Sequence, residues 1–156
     1  MKIPSIVTLS IFALLGLILT GCGNRADSVY KEKYKPLVFY ADTITHRKSA
    51  EERTSRYLCD DSLYIFFENT FDLDTIDLRI NGKDEGTRIL TTDRRVGVAD
   101  VTILGDIKSI GTIEITKNNG PPLTIELRDK KMYIWRVLFY KDTLEARWTK
   151  FLLEYD

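Results

Sequence analysis

From Leu63 onward the chain alternates apolar and polar residues in short runs divided by turn residues, the period-two signature of half-buried strands. The clearest run is "TIDLRINGK", where Ile76, Leu78 and Ile80 point one way and Asp77 and Arg79 the other. Asn81-Gly82 follows, the pair that tolerates positive φ in a type I′ hairpin turn. Asp84, Glu85 and Gly86 predict a longer loop before "TRIL" pairs back across that turn. "SLYIFFEN" sets Leu63, Ile65 and Phe67 on one face, while Tyr64 and Phe66 make the other face apolar as well. From Gly111 onward the pattern predicts at least four more strands. Their inward positions are Ile113, Ile115, Leu123, Ile125, Leu127, Leu144, Ala146 and Trp148, with breaks at Asn118 to Gly120, Asp129 to Lys131 and Lys141-Asp142.

Strands this closely spaced leave no room for parallel crossovers, which need a dozen or more residues between sequence neighbours, so antiparallel pairing is expected to dominate. About seven or eight strands with an apolar face each close most economically as two packed sheets. The predicted fold is therefore mainly β, an antiparallel two-sheet β-sandwich, immunoglobulin-like or similar, with a small β-barrel as the alternative. The cysteine-tryptophan-cysteine spacing of true immunoglobulin domains is absent, so that likeness is architectural only.

The chain before Leu63 reads differently. Lys2 precedes an apolar run from Ile3 to Leu19, broken only by Pro4, Ser5, Thr8, Ser10 and Gly16, which has the shape of a signal peptide over residues 1–21. It falls short of the roughly 20 apolar residues that a membrane span needs. "GNRADSVYKEKYK" is polar and reads as a tether, giving a leash over residues 22–35 and one domain over 36–156. Leu37 to Tyr40 suggest a short strand. Ser49 with Glu52 forms a capping box for a short helix near residues 50–57.

The leader ends in Leu19-Thr20-Gly21-Cys22, which resembles the lipobox of bacterial lipoproteins. The resemblance implies that the thiol of Cys22 receives a diacylglyceryl group. It also implies that the leader is cut between Gly21 and Cys22, and that the freed amine takes a fatty acyl chain such as palmitate. The small side chains at Thr20 and Gly21 keep that bond accessible, and a thiol is a strong nucleophile near neutral pH. Two or more acyl chains give stable anchoring where one gives only marginal binding. The likeness thus implies an exported protein held by membrane lipid through Cys22, at the outer membrane or periplasmic face of the envelope. The motif covers the first 22 residues and leaves the mature domain without a recognised family.

Charge and chemistry narrow the rest. A chain of 156 residues with 23 basic and 23 acidic side chains forms one domain with no net field to draw in nucleic acid. The sole histidine, His46, lies among Thr45, Arg47 and Lys48, and a multi-histidine metal site is excluded by count. The glycines of "NGKDEG" and "NNGPP" belong to turns, without the strand-loop-helix context of a phosphate site. No catalytic residue and no cofactor is expected, so the chain does not read as an enzyme. Asp72, Asp74 and Asp77 supply the nearest group of hard oxygen ligands, but they do not match the twelve-residue calcium loop. With Cys22 lipidated, Cys59 is left without a partner and is expected to be a buried small hydrophobe. Tyr133, Trp135, Tyr140 and Trp148 crowd the last strands. "KMYIWRVLFYKD" is apolar on both parities, so its strand is either covered on both sides or offers an aromatic contact strip. The expected role is an accessory or structural envelope protein acting by contact with another envelope protein. A carbohydrate-binding module is the second reading and a hydrolase a distant third.

Overall fold

The computed structural model describes residues 31–41, 58–59 and 61–150. The leader with its lipobox at Gly21 and Cys22, most of the tether, His46 and the helix expected near 50–57 lie outside the described residues. Nine strands are described: β1 (Lys35–Phe39), β2 (Ser62–Glu68), β3 (Asp74–Ile80), β4 (Lys83–Leu90), β5 (Val98–Asp106), β6 (Thr112–Lys117), β7 (Leu123–Glu126), β8 (Ile134–Tyr140) and β9 (Thr143–Trp148). A single 3-10 turn, Ile107–Ser109, links β5 to β6.

The strands form two sheets, one ordered β1-β9-β8-β2-β5 and the other β4-β3-β6-β7. The second sheet is antiparallel throughout. The first is mixed, because β1 runs parallel to β9 and β2 parallel to β8. This corrects the expectation of a wholly antiparallel sandwich. The spacing argument holds for strands adjacent in sequence, but here the whole second sheet lies in sequence between β2 and β8 and supplies the crossover. The two sheets do not close into a barrel, which removes the barrel alternative.

Side-chain alternation builds the core. Leu63, Ile65 and Phe67 of β2, Trp135 and Val137 of β8, and Leu144 and Ala146 of β9 meet Ile76 and Leu78 of β3, Ile113 and Ile115 of β6, and Leu123 and Ile125 of β7 in one buried cluster. Burying each of the larger side chains contributes roughly 1.5–3 kcal/mol. On the opposite parity, part of each strand is buried as well. Tyr64, Phe66 and Ile134 form a second cluster, with Leu58 and Tyr133 packed against it, which explains why both sequences are apolar on both faces.

Turn chemistry fixes register. Asn81 and Gly82 take φ values of 51° and 77°, as the Asn-Gly pair predicts. Unlike the longer loop expected there, β4 begins at once at Lys83. The surplus residue is absorbed by a bulge: Asp77 faces Thr87 while Arg79 faces Asp84, so β4 advances three residues for two of β3. Gly86, at φ 99°, gives β4 the backbone freedom for this, and its N–H donates to Asp84 Oδ1 at 2.8 Å.

Polar contacts link the sheets along both open sides. Between β4 and β5, Arg88 Nη1 reaches Asp100 Oδ2 at 3.1 Å and also donates to Thr102 Oγ1. On the other side Tyr40 stands edge-on to Trp135, with ring centroids 5.7 Å apart, while its Oη accepts the Glu126 N–H at 3.0 Å. The Arg128 guanidinium lies over the same ring at 4.1 Å.

Candidate contact surface

The four aromatic residues marked by the sequence do not share a surface. Trp135 is fully buried in the core, and its Nε1 donates to the Met132 carbonyl at 2.8 Å. Tyr133 and Trp148 are half-buried against the core, and only Tyr140, 55% exposed, is open to solvent. As an outward ring Trp135 is therefore a correction. The apolar double parity arises because Trp135 and Val137 enter the core while Ile134, on the opposite face, is buried with Tyr64 and Phe66.

The exposed apolar side chains lie elsewhere. Of seven exposed large hydrophobics among the described residues, five fall between Leu73 and Ile103: Leu73, Ile89, Val96, Val101 and Ile103. Val101 and Ile103 alternate with the inward Thr102 and Leu104 on β5, which ends the first sheet. Ile89 lies on β4, which ends the second. Arg88 joins these two edges, but Ile89 points out of the second sheet while Val101 and Ile103 point out of the first. Edge strands carry unpaired backbone groups that proteins commonly protect with charge or proline. β4 opens with Lys83, Asp84 and Glu85; β5, "VADVTILGD", carries Asp100, which is engaged by Arg88, and Asp106 at its end, but no lysine, arginine or proline. The exposed face of β5 therefore combines an open edge with apolar side chains, the chemistry that receives an added strand.

Backbone strain borders the same region. Thr70 and Leu73 hold φ values of 78° and 53°, which branched and bulky side chains rarely adopt. Hydrogen bonds to distant parts of the chain accompany them: Thr70 Oγ1 donates to the Phe139 carbonyl, and the Leu73 N–H donates to Thr91 Oγ1 at 3.1 Å. A cleft of about 500 Å³ opens between this loop and Thr91, Thr92 and Arg94.

The three aspartates separate. Asp74 is buried and ion-paired with Lys117, whereas Asp72 is exposed and gives only its N–H to Asp74 Oδ2, at 3.1 Å. Asp77 alternates to the other face of β3 and accepts from Thr87 Oγ1 at 2.5 Å. No group of three or more candidate metal-ligating side chains converges among the described residues.

A polar cluster at the β3–β6 end of the core was not anticipated from the sequence. Lys117 Nζ, its side chain only 3% exposed, contacts Glu32 Oε2 at 2.5 Å and Asp74 Oδ1 at 2.8 Å. Asn118 Nδ2 donates to the same two oxygens, at 2.9 and 2.7 Å. Tyr34 is buried beside them and accepts the Lys117 N–H at 2.8 Å. Burial pushes the Tyr34 phenol above its ordinary value of 10.0; the donated Lys117 N–H opposes this and the Glu32 carboxylate adds to it. Residues 32–35, assigned to the leash by composition, are thus tied to the body. The signal was present in parity: Lys117 continues the inward series Ile113, Ile115, and Asp74 begins the inward series Ile76, Leu78.

Cys59 is exposed rather than buried. It precedes the first residue of β2, so strand alternation does not reach it, and its N–H donates to Tyr64 Oη at 3.0 Å. Among the described residues no helix is long and apolar enough to cross a membrane. Comparison with protein-family models, curated proteins and solved structures finds no match.

Proposed function

We propose that this chain is a lipid-anchored cell-envelope protein that acts by contact, presenting the β5 edge of its two-sheet body to another envelope protein. The anchor is inferred from the lipobox-like Leu19-Thr20-Gly21-Cys22 at the end of an apolar leader. The single observation behind the contact role is the exposed apolar pair Val101 and Ile103 on the edge strand β5. Exposed apolar side chains beside an unpaired strand edge suit the addition of a strand from a partner. The finer architectural reading is a sandwich of immunoglobulin-like or similar kind. Two layers around one core support it, and the parallel β2–β8 pair departs from the antiparallel sheets of that type.

A glycan-binding module has less support, since Tyr140 alone of the four marked rings is well exposed. Two experiments test the reading. Metabolic labelling with a tagged fatty acid should mark the wild type and not Cys22→Ser. A photo-crosslinking residue at Ile103 in living cells should trap one defined envelope protein, while the same residue at Glu126, on β7 at the far edge of the second sheet, should not. Equal labelling of both proteins sinks the anchor; equal trapping from both positions sinks the contact face.

A further inference from the structure

Lys117 sits where an ion pair is expensive to keep. Its ammonium is almost wholly buried, lies 4.2 Å from the centroid of the Phe139 ring and touches two carboxylates, Glu32 and Asp74. Removing an ammonium and a carboxylate from water costs more than their attraction commonly returns. An amide between them would abolish both charges and release one water. Every part needed for that condensation is held in place. The amine nitrogen lies 2.8 Å from Asp74 Oδ1, and contact enforced by the fold replaces the entropy cost of bringing two reactants together. Asn118 Nδ2 donates to Asp74 Oδ1 and the Asp72 N–H to Oδ2, so the carboxyl group is polarised from both sides. Glu32 Oε2 contacts Lys117 Nζ directly and shares the Asn118 donor with Asp74, the position of a proton carrier.

We propose that Lys117 and Asp74 join through an isopeptide bond inside the fold, with Glu32 moving the protons. Glu32 takes a proton from the Lys117 ammonium, and the freed lone pair on Nζ attacks Cγ of Asp74. Charge on the tetrahedral intermediate gathers at Oδ2 against the Asp72 N–H. A second proton leaves Nζ, both protons reach Oδ1 through Glu32, and the Cγ–Oδ1 bond breaks to release water. Nζ loses two protons, the carboxylate loses one oxygen, and Glu32 ends as it began; no oxidant or cofactor is required. Asp74 is the acceptor rather than Glu32 because it is the more buried of the two, 11% against 20% exposed, and stands on β3 between two donors. The bond would staple the start of β3 to the end of β6, diagonally across the Ile76–Lys117 pair. It does not depend on the anchor or on the contact face.

The test is a protease digest of the denatured full-length wild-type protein, read by mass spectrometry. The peptide carrying Asp74 and the peptide carrying Lys117 should appear as one joined species, lighter by one water than their sum. Asp74→Ala and Lys117→Met should each give separate peptides, and Glu32→Gln should leave most of the protein unjoined. Asp74→Asn should yield the same joined species, now with loss of ammonia. Separate peptides at full mass from folded wild type would overturn the proposal, as would a joint at Glu32 or joining as complete in Glu32→Gln as in wild type. The decisive reading comes from the wild type and does not depend on any variant folding.

Discussion

Gly120 lies directly against Tyr34: a Cβ on Gly120 would lie 2.2 Å from Tyr34 Cε1 and 2.8 Å from the Glu32 carbonyl oxygen. The contact locks the segment before β1 onto the β6–β7 turn. Gly120→Ala must displace either a ring or a backbone, neither of which gives way cheaply. Overpacking of this kind typically costs about 1–3 kcal/mol. Chemical denaturation should show a lower midpoint with unchanged slope, and a stability equal to wild type would mean that the segment is not seated there.

Tyr34 should also report on pH. Its phenol is raised above 10.0 in the fold, mainly by burial, so as pH climbs past 10.0 the unfolded chain gives up this proton first. The folded state then holds more protons, and stability falls with rising pH until the folded value is passed. Below 10.0 the contribution is complete. Tyr34→Phe should lose this component of the alkaline decline, seen as a flatter difference between unfolding curves collected on either side of pH 10.0. An alkaline decline of equal steepness in both proteins would contradict the burial assigned to this ring.

The late aromatic residues should divide by burial rather than by chemical type. Trp135→Ala empties a fully buried site and should cost about 3–5 kcal/mol. Tyr140→Ala, at an exposed position, should change stability by about 0.5 kcal/mol or less. Thermal unfolding of the two variants checks this. A Trp135→Ala protein as stable as wild type would return that ring to the surface.

Cys59 should react with a thiol reagent in the native protein about as fast as after denaturation, since it is exposed. Cys59→Ser should leave stability within about 0.5 kcal/mol of wild type. A thiol protected until denaturant is added would show that the segment around it is packed.

Legibility followed the local rules. Ile76, Leu78, Ile113, Ile115, Leu123 and Ile125 were readable because period-two alternation over a single buried core leaves no other choice of face. Asn81-Gly82 was readable because the pair carries its own turn geometry. The parallel pairing of β2 with β8 was not, because it joins strands separated by the whole second sheet and no local pattern encodes that partner. Trp135 was ambiguous for a related reason, as a strand covered on both sides and a strand with an outward aromatic strip give the same sequence. The Lys117 cluster was half-legible: parity turns Lys117 and Asp74 inward, but Glu32 comes from a polar segment whose composition resembles a free leash. The exposure of Val101 and Ile103 was not legible, because alternation alone does not say which parity of β5 faces out.

Anchoring of the body to the envelope by lipid at Cys22 can be read from the mass of the first peptide of the protein isolated from membranes. The expected chain begins at Cys22 and carries a diacylglyceryl group on sulfur with an acyl chain on its amine. A chain that begins at Met1, or an unmodified Cys22 in the mature protein, would contradict it.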